Sequence, residues 1–490
     1  MKISEWMVQS SVPFGTSGAR GLVSDMTDAV CFAYTVGYLK HLETLGEFSP
    51  GTSVAIAGDL RPSTPRILEA CSAAILWMKG LPLTCGYVPT PALSLYAFSR
   101  KIPSLMVTGS HIPDDRNGIK FNRAQGEFLK DDETAMREHH VSLPSGWFDG
   151  AGNLTHTAGQ PMSVNVVDEY VNRYRDFFGT SSLSGLTLGV YQHSAVGRDI
   201  LVSIVEALGG TAIPLERSDK FVSVDTEAVR PEDVTLAQGW AKSGLYDAIL
   251  TTDGDSDRPL LADQNGRWLR GDILGIIASK ALGASAVTTP VSSNTALEAL
   301  NSIHSIRRTK IGSPYVVVAM NEAVAEGCVP SVGYEANGGF LLASDIVRNG
   351  RTLTALPTRD AVLPMLCALD ASLKHKEGLS GLLTTLPARF TVSDRLKDIP
   401  TALSQKKLKE FRVDIINSAE EIGFNTISGS VKNINEIDGL RLTFDSDDVI
   451  HLRPSGNAPE LRIYVESHTQ AQADLVLSES LKKVAHWINQ

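Results

Sequence analysis

The chain has 490 residues, 43% of them hydrophobic and 20% charged, with a formal net charge of −10. That length corresponds to roughly three or four domains with ample core. The acidic balance, with no long basic block, excludes sequence-independent nucleic-acid binding, so a small anionic substrate would need a local basic pocket. The cysteines, Cys31, Cys71, Cys85, Cys328 and Cys367, form no C-x-x-C pair. Neither a zinc site nor a disulfide framework is indicated, and a reducing compartment fits. Met1 to Phe14 lacks the apolar run of a signal peptide, and the most apolar stretch, Ile273 to Thr289, is broken by Lys280. No membrane partner is expected, and the cytoplasm is the default location.

The first motif is Phe14-Gly15-Thr16-Ser17-Gly18-Ala19-Arg20-Gly21. Backbone donors, two hydroxyls and one fixed cation suit a phosphate, although taken alone the motif reads first as a plain N-terminal turn. Ser53–Ala57 alternates as a strand. Gly58 to Pro65 is a turn leading into a helix over Arg66–Lys79. Leu81–Cys85 is a strand, Pro91–Arg100 a helix and Ser104–Val107 a third strand. Strands alternating with helices of this length predict βαβ units and a mainly parallel sheet.

The third strand runs into Thr108-Gly109-Ser110-His111-Ile112-Pro113-Asp114-Asp115-Arg116-Asn117-Gly118-Ile119-Lys120. Its glycines, proline and asparagine predict a loop throughout. A loop at the end of a buried strand is where an α/β sheet presents a ligand site. Ser110 is a possible nucleophile, His111 and Lys120 possible proton carriers; we expect Ser110 to carry a phosphoryl group.

Val141–Ser163 reads as a linker, Asp168–Phe178 as an amphipathic helix and Thr187–Tyr191 as a strand. Gln192–Gly197 is a turn whose His193 suits a ligand contact but reads first as structural, and Arg198–Leu208 is a helix stopped at Gly209-Gly210. The strand Tyr246–Thr252 enters Asp253-Gly254-Asp255-Ser256-Asp257-Arg258. Carboxylates at i, i+2 and i+4 of an extended segment share one side, and all-oxygen ligation suits Mg²⁺. An EF-hand is excluded, because its sixth and twelfth positions would be Arg258 and Gln264 rather than Gly and Glu. An aspartate nucleophile of the haloacid-dehalogenase type would leave the Ser110 loop unexplained.

Leu260–Ala262 and Arg267–Leu269 are expected to flank a hairpin turn. A third α/β pass follows: helix Ile273–Leu282, strand Ala286–Val291, helix Asn294–Asn301, the basic run Arg307-Arg308-Thr309-Lys310 and helix Val316–Ala325. Gly333-Tyr334-Glu335-Ala336-Asn337-Gly338-Gly339 offers Glu335 and Asn337, which suit sugar hydroxyls or a plain turn. From about Gly378 the strands, such as Leu440–Phe444 and Arg462–Val465, are antiparallel in style, and an amphipathic helix closes the chain. Between them, His451-Leu452-Arg453-Pro454-Ser455-Gly456-Asn457-Ala458-Pro459 has the composition of a phosphate clamp or of a surface turn.

Five of these stretches, F-G-T-S-G-A-R-G, T-G-S-H-I-P-D-D-R-N-G-I-K, D-G-D-S-D-R, G-Y-E-A-N-G-G and R-P-S-G-N-A-P, resemble in order the motifs of the α-D-phosphohexomutase family. The resemblance covers nearly the full chain. It implies three related α/β domains with mixed, mainly parallel sheets (1–150, 160–267 and 268–377) and a smaller C-terminal α+β domain (378–490) around a central cleft. The implied reaction is reversible interconversion of hexose 1-phosphate and hexose 6-phosphate through a bisphosphorylated intermediate. Mannose phosphates are the first expectation; phosphoglucomutase and phosphoglucosamine mutase activities, and a non-catalytic phosphosugar-binding protein, stay open. By motif, Ser110 would be the phosphoserine and, with Asp253, Asp255 and Asp257, would hold Mg²⁺. Arg20 and Arg258 would sit near the reacting phosphoryl group, flanked by His111 and Lys120, with Lys120 the better proton carrier. Glu335 and Asn337 would take sugar hydroxyls. Arg453, Ser455, Gly456 and Asn457 would bind the distal phosphate, with Lys310 a further contact. A hexose 1,6-bisphosphate activator and a monomer or homodimer are also implied. Ile112 replaces the usual Asn, Asn337 the usual Ser, Gly339 a common His, Asn457 a common Thr and Ala458 a common Glu. The Ile112 change should matter little; the others bear on sugar specificity rather than on phosphoryl chemistry.

Overall fold

The structure is a computed structural model and describes residues 1–15, 18–156, 159, 161–455 and 459–489. Two compact units emerge: Met1–Val287 with Gly312–Leu383, and Thr288–Ile311 with Thr384–Gln490. Among the described residues no helix is long and apolar enough to cross a membrane. All five cysteines are free.

The first sheet of the first unit contains β1 (Ala19–Leu22), β2 (Ser53–Gly58), β3 (Leu81–Tyr87), β4 (Ser104–Val107), β5 (Arg116–Arg123), β6 (Gly126–Glu127) and β7 (Met162–Ser163). Its order is β1-β5-β4-β2-β3-β7, with β6 beside β5. The β4, β2, β3 and β7 pairings are parallel, and helices Thr64–Trp77 and Thr90–Arg100 each begin with a proline in the first turn, where its missing N–H costs nothing. The sheet is therefore the expected βαβ arrangement. Its antiparallel edge is not as predicted, because residues 116–120 form part of a strand rather than a loop. Asn117-Gly118 has turn chemistry, but the chain doubles back earlier. Lys120 then pairs with Met106, while Gly118 pairs with Arg20 on β1. Leu105, Met106 and Val107 are completely buried. Helix Asp28–Thr44 covers this sheet and is buried almost all round.

The second sheet holds β8 (Thr187–His193), β9 (Thr211–Arg217), β10 (Ala248–Thr252) and β11 (Pro259–Asp263), in the order β11-β10-β8-β9. β8, β9 and β10 are parallel. β10 and β11 are antiparallel, with Thr252 opposite Pro259, so Asp253–Arg258 is the connection between them. Arg267–Leu269 is not a strand; one isolated bridge, Ala262 to Trp268, stands there.

β12 (Ala286–Pro290) straddles the two units, and β13 (Ser305–Thr309) lies in the second. Back in the first unit come β14 (Ser331–Tyr334), β15 (Phe340–Leu342), β16 (Ile346–Arg348), β17 (Arg351–Leu353) and β18 (Leu356–Asp360). The β14–β15 hairpin presents Glu335–Gly339, and Phe340 pairs with Asp360 on β18.

The expected helix Asn294–Asn301 is a single 3₁₀ turn, Thr295–Leu297. Its backbone groups are taken by side chains. Arg308 occupies the carbonyls of Ser293 and Asn294, and Glu466 takes the Thr295 N–H. The second unit continues with β19 (Phe390–Lys397), β20 (Val431–Asn435), β21 (Leu440–Phe444), β22 (Val449–Pro454) and β23 (Glu460–Ser467). They run in the order β19-β23-β22-β21-β20, antiparallel throughout. Helix Gln470–Ile488 buries Ala473, Val476, Val484 and Ile488 in the core of this unit.

Candidate active site

β4 delivers Ser110, β5 delivers Lys120, and the β10–β11 connection delivers the aspartates. Ser110 is completely buried and adopts φ 56°, a left-handed conformation uncommon outside glycine. Its N–H donates to Thr108 Oγ1 at 2.8 Å, and its Oγ donates to Asp253 Oδ2 at 2.5 Å.

Asp253, Asp255 and Asp257 are all buried and each offers an oxygen within 4.8 Å of the others. Burial, then repulsion from Asp255 and Asp257, pushes the Asp253 carboxyl well above the usual range. Burial also works against the charged form of Asp257, but Arg359, Lys120 and Arg258 outweigh it and hold that carboxyl well below the usual range. Lys120 Nζ donates to Asp255 Oδ2 at 2.5 Å and to Asp257 Oδ2 at 2.7 Å. Thr90, at the head of helix Thr90–Arg100, gives its N–H to the Asp255 carbonyl and its hydroxyl to Asp255 Oδ2. Asp255 Oδ1 and Asp257 Oδ1 are buried with no hydrogen-bond partner among the described residues, Arg258 Nε standing 3.6 Å from the latter. Two orphaned carboxylate oxygens beside a third carboxyl are a donor set that fits a hard divalent cation such as Mg²⁺.

Arg258 stands over this cluster, its Nη1 2.8 Å from His111 Nδ1. Burial, then the adjacent Arg258 charge, pushes the His111 imidazole down to about 3. His111 is therefore neutral near pH 7 and accepts from Arg258. Arg20, on β1 beside β5, has its guanidinium lowered to about 10, first by burial and then by Arg258. The structure thus brings Ser110, His111, Lys120, Arg20, Arg258 and the three aspartates together.

Glu335 joins them through a residue not singled out in the sequence. Arg359 Nε donates to Asp257 Oδ2 at 3.0 Å and Arg359 Nη1 to Glu335 Oε2 at 3.2 Å. Asn337 shapes its own loop: its Oδ1 accepts the Gly339 N–H at 3.0 Å, and its carbonyl accepts from Thr226 Oγ1 at 2.7 Å. A second unpredicted residue is Arg61, whose guanidinium reaches Asp59 Oδ2 and the carbonyls of Ser110, Ile112, Pro113 and Arg116. The available signal was charge in apolar surroundings. Asp59 and Arg61 directly follow a buried strand, and Arg359-Asp360 interrupts an apolar run.

Lys310, Arg453 and Ser455 belong to the second unit. Asp438 Oδ2 accepts from Arg453 Nε and from the Ile311 N–H, both at 2.9 Å, so the neighbour of Lys310 and Arg453 share one carboxylate oxygen. Ser455 is buried, its N–H donating to the Glu460 carbonyl. Gly456 and Asn457 lie outside the described residues, as do Thr16 and Ser17.

A parallel-sheet α/β protein with a buried serine facing three aspartates and ringed by arginines has the equipment of a phosphoryl-transfer enzyme. Family models for the phosphoglucomutase/phosphomannomutase alpha/beta/alpha domains I, II and III match residues 11–141, 168–266 and 270–390, and the model for the C-terminal domain matches 395–483. The chain is 44% identical to a phosphomannomutase of Salmonella muenchen, over 97% of this chain and 96% of that protein. It is 41% identical to a phosphomannomutase of Sinorhizobium fredii, over 96% and 98%. The fold matches a crystal structure of a phosphoglucomutase/phosphomannomutase family protein from Burkholderia thailandensis with TM-score 0.74, at 19% identity and 98% coverage of both chains. The chain belongs to the phosphoglucomutase/phosphomannomutase family, isomerases that interconvert hexose phosphates by way of a phosphoserine.

Proposed function

We propose that this chain is a Mg²⁺-dependent mutase of mannose 1-phosphate and mannose 6-phosphate, with Ser110 carrying the phosphoryl group. The reading is carried by the buried Ser110 hydroxyl on Asp253, beside two carboxylates that each keep an oxygen with no hydrogen-bond partner among the described residues. Mannose is chosen because the two relatives described above, at 44% and 41% identity, are phosphomannomutases. The bond from phosphorus to Ser110 Oγ breaks as the free hydroxyl of the hexose monophosphate bonds to phosphorus, leaving a bisphosphate. After the sugar reverses, Ser110 Oγ takes back the other phosphoryl group. Lys120 is the proton carrier between Ser110 and the sugar hydroxyl. Arg20 and Arg258 neutralise the equatorial oxygens, and neutral His111 orients Arg258.

Asp253, Asp255 and Asp257, with an oxygen on Ser110, would hold Mg²⁺. When bound it supplies further neutralisation of charge at the phosphoryl oxygens. Glu335 and Asn337 would contact sugar hydroxyls, and Lys310, Arg453, Ser455, Gly456 and Asn457 the non-reacting phosphate. A hexose 1,6-bisphosphate would restore phosphorylated Ser110. The four-domain division at 1–150, 160–267, 268–377 and 378–490 and a cytoplasmic monomer or homodimer belong to the same proposal.

The test is intact-protein mass spectrometry followed by coupled assays on mannose 1-phosphate, glucose 1-phosphate and glucosamine 1-phosphate. One phosphate on Ser110 and fastest turnover of the mannose ester are expected. Faster turnover of another sugar would overturn the choice of mannose. No turnover of any, with Mg²⁺ and a bisphosphate present, would overturn the enzymatic reading.

A further inference from the structure

One face of the β19–β23 sheet sends Leu440, Leu442, Ile450, Leu452 and Ile463 into the core of the second unit. Side chains alternate along a strand, so the residues between these face the other way. Cross-strand pairing sets Arg441 on β21, His451 on β22 and Tyr464 on β23 in one row there. The pair Thr391 on β19 and Glu466 on β23 stands beside it. Together with Ser292, which follows β12, these side chains line a cavity of about 200 Å³.

The charged groups around the cavity are unevenly paired. Glu466 accepts from Arg389 Nε at 2.5 Å and from the Thr295 N–H at 3.0 Å. Glu298 accepts from Arg308 Nη2 at 2.7 Å. Both acids that act on Arg441 are thus already bound to other arginines. The Arg441 guanidinium itself makes no hydrogen bond or ion pair among the described residues. Burial, joined by Arg308 and Arg389 against Glu466 and Glu298, pushes it below the ordinary arginine value. On the next strand His451 Nε2 donates to the Asp438 carbonyl. In the neutral ring Nδ1 is then an acceptor, and that atom is buried with no hydrogen-bond partner among the described residues. Thr391 Oγ1 accepts from Asn294 Nδ2 at 3.0 Å, so its own hydrogen remains for a further acceptor.

We propose that this cavity binds a small oxyanion that carries its own proton, bicarbonate or hydrogen phosphate, with Arg441 on two of its oxygens and His451 Nδ1 on its O–H. A guanidinium with no carboxylate of its own matches a pair of anionic oxygens. A buried imidazole acceptor needs a donor, and an anion without a proton leaves it unpaired. Chloride and sulfate have no proton at pH 7.5 and fail on that count. None of the residues assigned to phosphoryl transfer or to the non-reacting phosphate lines this cavity. Ser292 lies in the stretch matched by the domain III family model, and Arg441, His451 and Tyr464 in the stretch matched by the C-terminal domain model. The bound ion therefore ties the two stretches together.

Full-length wild type, Arg441→Met and His451→Gln are titrated at pH 7.5, in buffer freed of carbonate, with bicarbonate, phosphate, sulfate and chloride. Calorimetry measures bicarbonate and chloride. Phosphate and sulfate also suit the reaction site, so their binding here is followed by the ¹⁵N shift of His451 Nδ1 in histidine-labelled wild type. Bicarbonate or phosphate should bind, and the tighter of the two names the source. Sulfate and chloride should bind about a hundredfold more weakly. Arg441→Met should weaken bicarbonate about a hundredfold. Without anion it should melt no lower than wild type, because no bond within the protein is lost. His451→Gln keeps the donor to Asp438 and removes the acceptor. It should weaken bicarbonate about tenfold and leave chloride unchanged. Neither bicarbonate heat nor a phosphate shift in wild type would overturn the proposal, leaving the cavity to water. Chloride or sulfate binding as tightly as the protonated anions would do the same, as would a lower anion-free melting temperature in Arg441→Met. Unchanged bicarbonate affinity in His451→Gln would overturn it even if Arg441→Met does not fold.

Discussion

Ser110 spends conformational energy to face its partner. Holding a non-glycine residue in the left-handed region costs about 1 kcal/mol, and the Thr108 hydroxyl on the Ser110 N–H offsets part of it. The return is an Oγ aimed at Asp253 rather than at solvent. Ser110→Ala should abolish turnover and the phosphorylated mass while costing stability no more than about 1 kcal/mol, the net contribution of one hydrogen bond. Residual turnover in that variant would place the acceptor elsewhere. Lys120 has a different role, as the cation between Asp255 and Asp257. Lys120→Met should lower kcat by about a hundredfold and destabilise the metal-free protein by about 3 kcal/mol, because two buried carboxylates lose a compensating charge. A divalent cation can replace that charge, so Mg²⁺ should raise the melting temperature of the variant more than that of wild type. Equal shifts would argue against the compensating role.

The element that matters most is the β4–β5 connection, and Arg61 holds it. Four backbone carbonyls and one carboxylate accept from a single completely buried guanidinium, which also lies 4.0 Å from the Phe221 ring centre. Gly109 makes this possible, since a Cβ there would meet Arg61 Cζ at 2.6 Å. Arg61→Lys cannot reproduce a five-donor fork. It should destabilise the first unit by about 3 kcal/mol and lower kcat by about a hundredfold by misplacing Ser110. Hydrogen exchange over residues 108–116 should rise with it, and unchanged exchange would remove Arg61 from this role. The loop itself was legible in the sequence, because Ser110, His111 and the aspartates follow short apolar strands and carry their chemistry within a few residues. The clasp was not, because Arg61 and Ser110 are joined only by tertiary folding. Strand β5 was hidden for a related reason: Asn117-Gly118 favours a turn locally, and pairing with β1 and β4 overrides that preference.

At the scale of the molecule, the alternation of strands and helices made the three α/β passes readable, and the change to antiparallel pairing marked the C-terminal domain. Which charges end up buried was not readable, since burial is decided by distant packing. His451 on β22 is such a case. Its ring stacks on Tyr464, its Nε2 donates to the Asp438 carbonyl at 2.6 Å, and Nδ1 is buried with no hydrogen-bond partner among the described residues. Burial lowers its pKa to about 4, the Asp438 carbonyl opposing and Arg441 adding to the shift. His193 on β8 is lowered to about 4 in the same way, with the Thr252 carbonyl opposing. A histidine whose folded pKa lies below its unfolded value binds fewer protons when folded. Stability is therefore full above the unfolded value of 6.5 and falls as pH drops toward 4. At pH 5 each histidine should cost about 2 kcal/mol relative to pH 7.5. His451→Gln keeps a donor for Asp438 but cannot be protonated. Urea unfolding followed by circular dichroism should show a smaller loss of stability between pH 7.5 and 5 in this variant than in wild type. An equal loss in both would mean that His451 is already protonated, or solvated, in the folded protein, and that acid sensitivity arises from the carboxylates of the first unit instead.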